Sequence, residues 1–272
     1  MAFLRVPAFI VTLAGMLVFR GLTMLVLDGQ SIAPFPASFR QMSSGYIPGL
    51  NKSGDLDLLT MIVGVVISLI LIWGEIRKRK QQASYNFDIL PMWLFALKLI
   101  LIVGVMNVFA YFLASYEGIP NILVILVVLI VAYSFITNKT IAGRHLYALG
   151  GNEKAAKLSG IKTKWLTFWV FVNMGVLAAL SGLLFAARLN AATPKAGNSF
   201  ELDAIAAVFI GGASAYGGIG TVIGAVVGGL VMGVLNNGMS LIGLGVDYQQ
   251  TIKGLVLLIA VGFDVYNKNK SS

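Results

Sequence analysis

Residues 118–138 read GIPNILVILVVLIVAYSFITN, an apolar run held between Glu117 and Lys139 with no charge inside it. A helix needs about 20 predominantly apolar residues to cross the hydrocarbon of a bilayer, and this run supplies them. Two further intervals are as free of charge, from Lys164 to Arg188 and from Asp203 to Asp247. The composition agrees. Of 272 residues, 58% are hydrophobic and 11% charged, against roughly 45–50% and about 25% in a soluble domain. So little charge cannot cover so much apolar surface in water. Segments of about ten residues with alternating polarity, the mark of a membrane barrel, do not occur. The fold class is an all-α polytopic membrane protein.

Working outward from that run, the apolar pattern gives about eight crossings, at 8–27, 58–74, 90–114, 121–137, 165–187, 204–215, 221–242 and 250–265. A loop over 28–56, rich in Pro, Ser and Gly, separates the first two and is too long for a tight connector. A polar connector occupies 139–164. The sixth segment is short for a span, so a full crossing and a re-entrant hairpin over 204–220 both remain open.

Orientation follows from the basic residues, which concentrate on the cytoplasmic side. Arg5, Arg77–Lys80, the 139–164 connector and the tail with Lys268 and Lys270 fall on one side. The other side holds Arg40, Lys52, Arg188 and Lys195. Both termini are therefore expected in the cytoplasm, with 28–56 outside. The net charge of +9 is read as this bias and not as a nucleic-acid footprint. The chain has no Cys and a single His, His145, and no phosphate-binding Gly-rich motif. No catalytic residue, metal ligand or cofactor site is expected.

Four features bear on function. In the connector, Gly150 and Gly151 are expected to make a turn and Asn152 to cap a short helix over 153–158. Its small residues Ala155 and Ala156 either lie on a solvated loop or dock in a partner's groove. Glycines at 220, 224 and 228, overlapped by 229 and 233, give a smooth helix face for internal packing or a dimer contact. Arg20 and Lys98 lie within spans and either snorkel or find a structural partner. Asp57, Asp88 and Asp264 sit at span ends, and a carrier coupled to protons or sodium usually needs an acid near the midplane. The amides Asn107, Asn173, Asn236 and Asn237 bridge helices or line a wet path suited to a neutral, hydroxyl-rich solute.

Three longer runs go further. YALGGNEKAAKLSGI at 147–161, the stretch from FELDAIAAVF at 200 to NNGMSLIG at 243, and PAFIVTLAGMLVFRGL at 7–22 resemble blocks of the permease subunits of bacterial ABC importers of simple sugars, the ribose/xylose/galactose type. Within that family, IAPFPASF at 32–39, FIGGASAYGGIGT at 209–221 and the segment 247–270 are most similar to the D-xylose type. The resemblance implies a type II importer permease fold, a single transmembrane domain over 1–272 that works as a homodimer. It implies a cytoplasmic ABC ATPase, commonly a double-cassette chain, and an extracytoplasmic sugar-binding protein. It implies residence in the bacterial inner membrane and ATP hydrolysis by the partner subunit alone. Gly151, Asn152, Glu153, Ala155, Ala156 and Leu158 would form the helix that couples to the ATPase. Asn236 and Asn237 would lie on the sugar path, with Asn107 and Asn173 as further candidates. Family members have about ten spans, and the block at 7–22 normally follows two of them, so an N-terminally shortened chain is expected. The alternatives are an ion-coupled secondary sugar carrier and a non-transporting truncated membrane protein.

Overall fold

A computed structural model describes residues 6–48, 52–53, 56–85 and 91–271. Arg5 and Asp88 lie outside the described residues. The elements are helices α1 (Ala8–Leu27) and α2 (Ala37–Ser44), strands β1 (Lys52–Ser53) and β2 (Leu56–Asp57), then helices α3 (Leu58–Ser84), α4 (Met92–Tyr116), α5 (Asn121–Lys139), α6 (Ile141–Gly151), α7 (Glu153–Leu158), α8 (Thr163–Leu189), α9 (Phe200–Ile210), α10 (Val222–Leu241) and α11 (Val246–Ser271). Among the described residues six helices are long and apolar enough to cross a membrane: α1, α3, α4, α5, α8 and α10. Their side chains are mostly exposed, as those of Phe9, Phe19, Leu101 and Val131 are. In lipid an exposed apolar side chain costs nothing, so the buried set is short and consists mostly of small and polar groups such as Ala114, Ala187, Ser43 and Thr60, with a few larger ones such as Met232.

The chain divides into two units, one of Pro36–Ile125 and one of Met1–Phe35 with Leu126–Ser272. In the first, the expected loop over 28–56 contains a helix and a two-residue hairpin. Asp57 caps α3, its carboxylate accepting from the Thr60 N–H at 3.1 Å. Helices α3 and α4 meet along a seam of small residues. A Cβ at Gly64 would lie 2.5 Å from that of Ala110, and Ser68 accepts from Asn107 Nδ2 at 3.0 Å. Lys98 pairs with Glu75 across the same two helices, so of its two expected roles it takes the structural one.

In the second unit, the strands of backbone beyond α1 and α8 join at one end. Ile32 and Ala192 exchange two N–H···O bonds of 3.0 Å, and the Phe35 N–H donates to Asn190 Oδ1 at 2.9 Å. The opposite end holds α6, α7 and the turn between α9 and α10. Helix α8, about 40 Å long at 1.5 Å per residue, separates them. The chain leaves α8 at the first end, enters α9, and leaves α9 beside α6 at the second. The sixth segment thus ends beside α6, and its helix is not among the six long and apolar enough to cross a membrane. Its helix is 11 residues, about 16 Å, and begins four residues before the expected 204. The stretch 190–199 consists mostly of turns, and Phe200 at the start of α9 meets Phe185 near the end of α8, ring centroids 4.9 Å apart.

Helices α9 and α10 are antiparallel and form the most extensive helix contact of the chain. A Cβ on Gly228 would lie 2.8 Å from the Ala207 carbonyl carbon and 2.9 Å from the Gly211 nitrogen, and one on Gly211 would lie 2.9 Å from the Ala225 nitrogen. The glycine face is thus spent on internal packing. Gly229 and Gly233, on the other side of α10, meet nothing within 4 Å.

Candidate functional site

The polar connector 139–164 folds as two helices sharing one residue. Thr140 caps α6, accepting from the Gly143 N–H at 3.3 Å. Gly143 lets α6 turn back onto α5, because a Cβ there would press on the Ile136 and Thr137 carbonyls. The expected turn at Gly150 and Gly151 is not found: both close α6 as helical residues. Asn152 then does two jobs. Its backbone N–H donates to the Ala148 carbonyl at 3.1 Å, ending α6, and its Oδ1 accepts from the Ala155 N–H at 3.0 Å, starting α7. The capping role was legible because an Asn before a Glu-initiated helix satisfies an otherwise orphaned N–H. Helix α7 occupies the expected 153–158.

Of the six candidate coupling residues, five are exposed: Gly151, Asn152, Glu153, Ala155 and Leu158. Ala156 is not. It is 4% exposed, and its carbonyl accepts from the Ile161 N–H at 3.1 Å as the chain folds under α7. The expectation of an exposed Ala155/Ala156 face is corrected here: Ala156 seats α7 on its own protein. Leu158 projects at 90% exposure beside the exposed Lys154 and Lys157.

The inner side of α6 carries a contact without side chains. A Cβ at Gly150 would lie 2.6 Å from the Gly218 nitrogen, and one at Gly218 would lie 2.8 Å from the Gly151 Cα. Gly217 and Gly218 have φ of 85° and 77°, a backbone region that favours glycine. Tyr147 adds a hydroxyl that donates to the Gly220 carbonyl at 2.7 Å. The same turn is capped from α11, where Asp264 Oδ2 accepts from the Ala215 N–H at 2.9 Å and the Ser214 hydroxyl at 3.3 Å.

The four amides separate. Asn107 ties α4 to α3, and Asn173 accepts from the Tyr133 hydroxyl, tying α8 to α5. Asn236 donates to Asp203 Oδ2 at 3.0 Å, tying α10 to α9. Asn237 is exposed. No two of them share a partner. Asn236 belongs instead to a cluster that the sequence reading missed. Asp203 Oδ2 also accepts from Lys253 Nζ of α11 at 2.9 Å, and both side chains are largely buried, 17% and 19% exposed. Asp203 Oδ1 and Asn236 Oδ1 are buried with no hydrogen-bond partner among the described residues. The signal was present: Lys253 falls inside the expected span 250–265, and a charge in a span demands a partner.

A permease component of transport systems, described for branched-chain amino acids, is the family whose pattern matches residues 1–261. The chain belongs to that permease family. The permease is 40% identical over 277 residues to the xylose transport system permease protein XylH of Haemophilus influenzae, covering 99% of this chain and 70% of the relative. It is 36% identical to XylH of Escherichia coli K12, over 99% of this chain and 67% of that one. The ribose import permease protein RbsC of Bacillus subtilis matches at 46% identity over 55% of this chain and 46% of its own length. No solved structure matches. The permease is thus an all-α, multi-pass membrane protein of a transport system, as its residues alone indicated.

Proposed function

We propose that the chain is the translocation subunit of an ATP-driven importer of a simple sugar, D-xylose. The observation that supports this best is the likeness to two xylose permeases over 99% of the chain. The ATPase is a separate cytoplasmic subunit, a double-cassette chain, and an extracytoplasmic binding protein delivers the sugar to a homodimer of permeases in the bacterial inner membrane. This subunit performs no covalent chemistry. Residues 1–272 act as one transmembrane permease domain, with both termini cytoplasmic, 28–56 outside and 139–164 as the coupling segment.

In this reading α7 docks on the ATPase through Gly151, Asn152, Glu153, Ala155 and Leu158, with Ala156 holding the helix from beneath. An exposed leucine ringed by lysines fits an apolar pocket with an acidic rim. The sugar passes Asn237 and the neighbourhood of Asn236; within their own units Asn173 holds α8 to α5 and Asn107 holds α4 to α3. The amides suit an uncharged polyol, which exchanges water hydrogen bonds for protein ones, and the charges of Asp203 and Lys253 beside Asn236 are paired with each other. Uptake of labelled xylose into proteoliposomes containing permease, ATPase and binding protein tests the reading. ATP-dependent uptake is expected. Uptake driven by an ion gradient with the ATPase absent would replace it with a secondary carrier.

A further inference from the structure

The runs at 147–161 and 209–221, far apart in sequence, meet in the structure at Gly150 on Gly217 and Gly218. We propose that α6 and α7 form one lever, and that its inner end at Gly150 drives the turn between α9 and α10. The inference rests on the coupling role proposed for α7.

Three observations make the lever stiff. A single residue, Asn152, joins the two helices, and its hydrogen bonds to the Ala148 carbonyl and from the Ala155 N–H tie it to both, which restrains the joint. The contact at Gly150 is backbone on backbone, and no side-chain rotation can relax it. Tyr147 fixes the register of the same contact through its bond to the Gly220 carbonyl. Beyond the turn the path continues without slack. Asp264 holds the turn to α11, and the glycine seam holds α9 to α10. Movement of the turn therefore shifts both helices together and reaches the Asp203–Asn236–Lys253 cluster. That cluster lies 14 residues along α10 from Val222, about 21 Å. Tyr147 and Gly150 are positioning residues in this scheme, since neither touches the sugar.

The test uses the assembled transporter with two variants. Gly150→Ala inserts a methyl where 2.6 Å is available, and Tyr147→Phe removes one hydroxyl and adds no atom. In both, co-purification with the ATPase and hydrolysis without sugar are expected to stay at wild-type level. Stimulation of hydrolysis by xylose-loaded binding protein, and xylose uptake, are expected to fall about tenfold for Gly150→Ala, within the usual size of a coupling between sites. Tyr147→Phe should fall in the same direction by less. Gly175→Ala in α8, where a Cβ meets nothing, should transport normally. Wild-type uptake by both variants overturns the lever, and so does loss of ATPase binding in Tyr147→Phe. Should Gly150→Ala fail to fold, Tyr147→Phe decides alone, because it creates no clash. Failure of the wild-type complex to take up xylose with ATP would instead overturn the functional reading itself.

Discussion

Adjacent glycines on α10 should respond very differently to the same methyl group. Gly228→Ala places a Cβ against the Ala207 carbonyl, 2.8 Å from its carbon, where ordinary contact begins near 3.4 Å. The obstacle is backbone, so α9 and α10 must separate, and the separation also pulls Asp203 away from Asn236 at 3.0 Å. Overpacking of this kind costs about 1–3 kcal/mol. Gly229→Ala points into open space. In water alanine would gain about 0.5–1 kcal/mol over glycine in a helix. In a bilayer the helix persists when the bundle comes apart, so that gain largely cancels, and the change should stay within about 0.5 kcal/mol. The two variants should therefore differ by about 2 kcal/mol. Reversible unfolding in lipid–detergent micelles, titrated with a denaturing detergent, measures the difference directly. Equal midpoints, or a less stable Gly229→Ala, would refute the view that this seam is closed to the last methyl.

Three further outcomes follow from the same geometry. Lys253→Met leaves the largely buried Asp203 carboxylate without its counter-charge, held by Asn236 alone, and should cost about 3 kcal/mol, at the low end for a broken buried pair because both side chains keep some exposure; adding Asp203→Asn should restore most of it, measured as a double-mutant cycle in the same micelles. Leu158→Asp should abolish co-purification with the ATPase and leave the unfolding midpoint unchanged, since that side chain is 90% exposed; retained binding would count against α7 as the docking element. Because the chain contains no cysteine, Ser44→Cys should react with an impermeant thiol reagent added outside intact cells and Ser159→Cys should not, both positions being exposed; the reverse pattern would invert the orientation drawn from the basic residues.

Much of this architecture could be read from residues because local rules decide it. Ala8–Leu27 is the expected first span to the residue, Pro120 sets the start of α5 at Asn121, and Asn152 caps α7 as its side-chain chemistry requires. Other features depend on contacts that sequence spacing does not contain. Gly150 and Gly151 look like a turn locally, but the helix continues through them, and at Gly150 only glycine lets α6 approach Gly217 and Gly218. Ala156 looks like part of an exposed face until α7 is laid against its own protein. The pairing of Lys253 with Asp203 spans 50 positions, and neither residue identifies the other. For α9 the apolar pattern located the segment but not its start, which the turns over 193–199 place at Phe200, four residues before the expected 204.

The contact between Gly150 and Gly217–Gly218 has a consequence for how such a transporter diversifies. A joint made of side chains can be retuned in small steps, by a methylene here or a hydroxyl there. This one is made of peptide groups, and the smallest available step, a single methyl, already exceeds the space. Its stiffness and geometry are accordingly beyond gradual adjustment. On the proposed reading, adjustment to another ATPase falls to the outer rim around Ala155 and Leu158, and adjustment to another cargo to the helices beyond the turn.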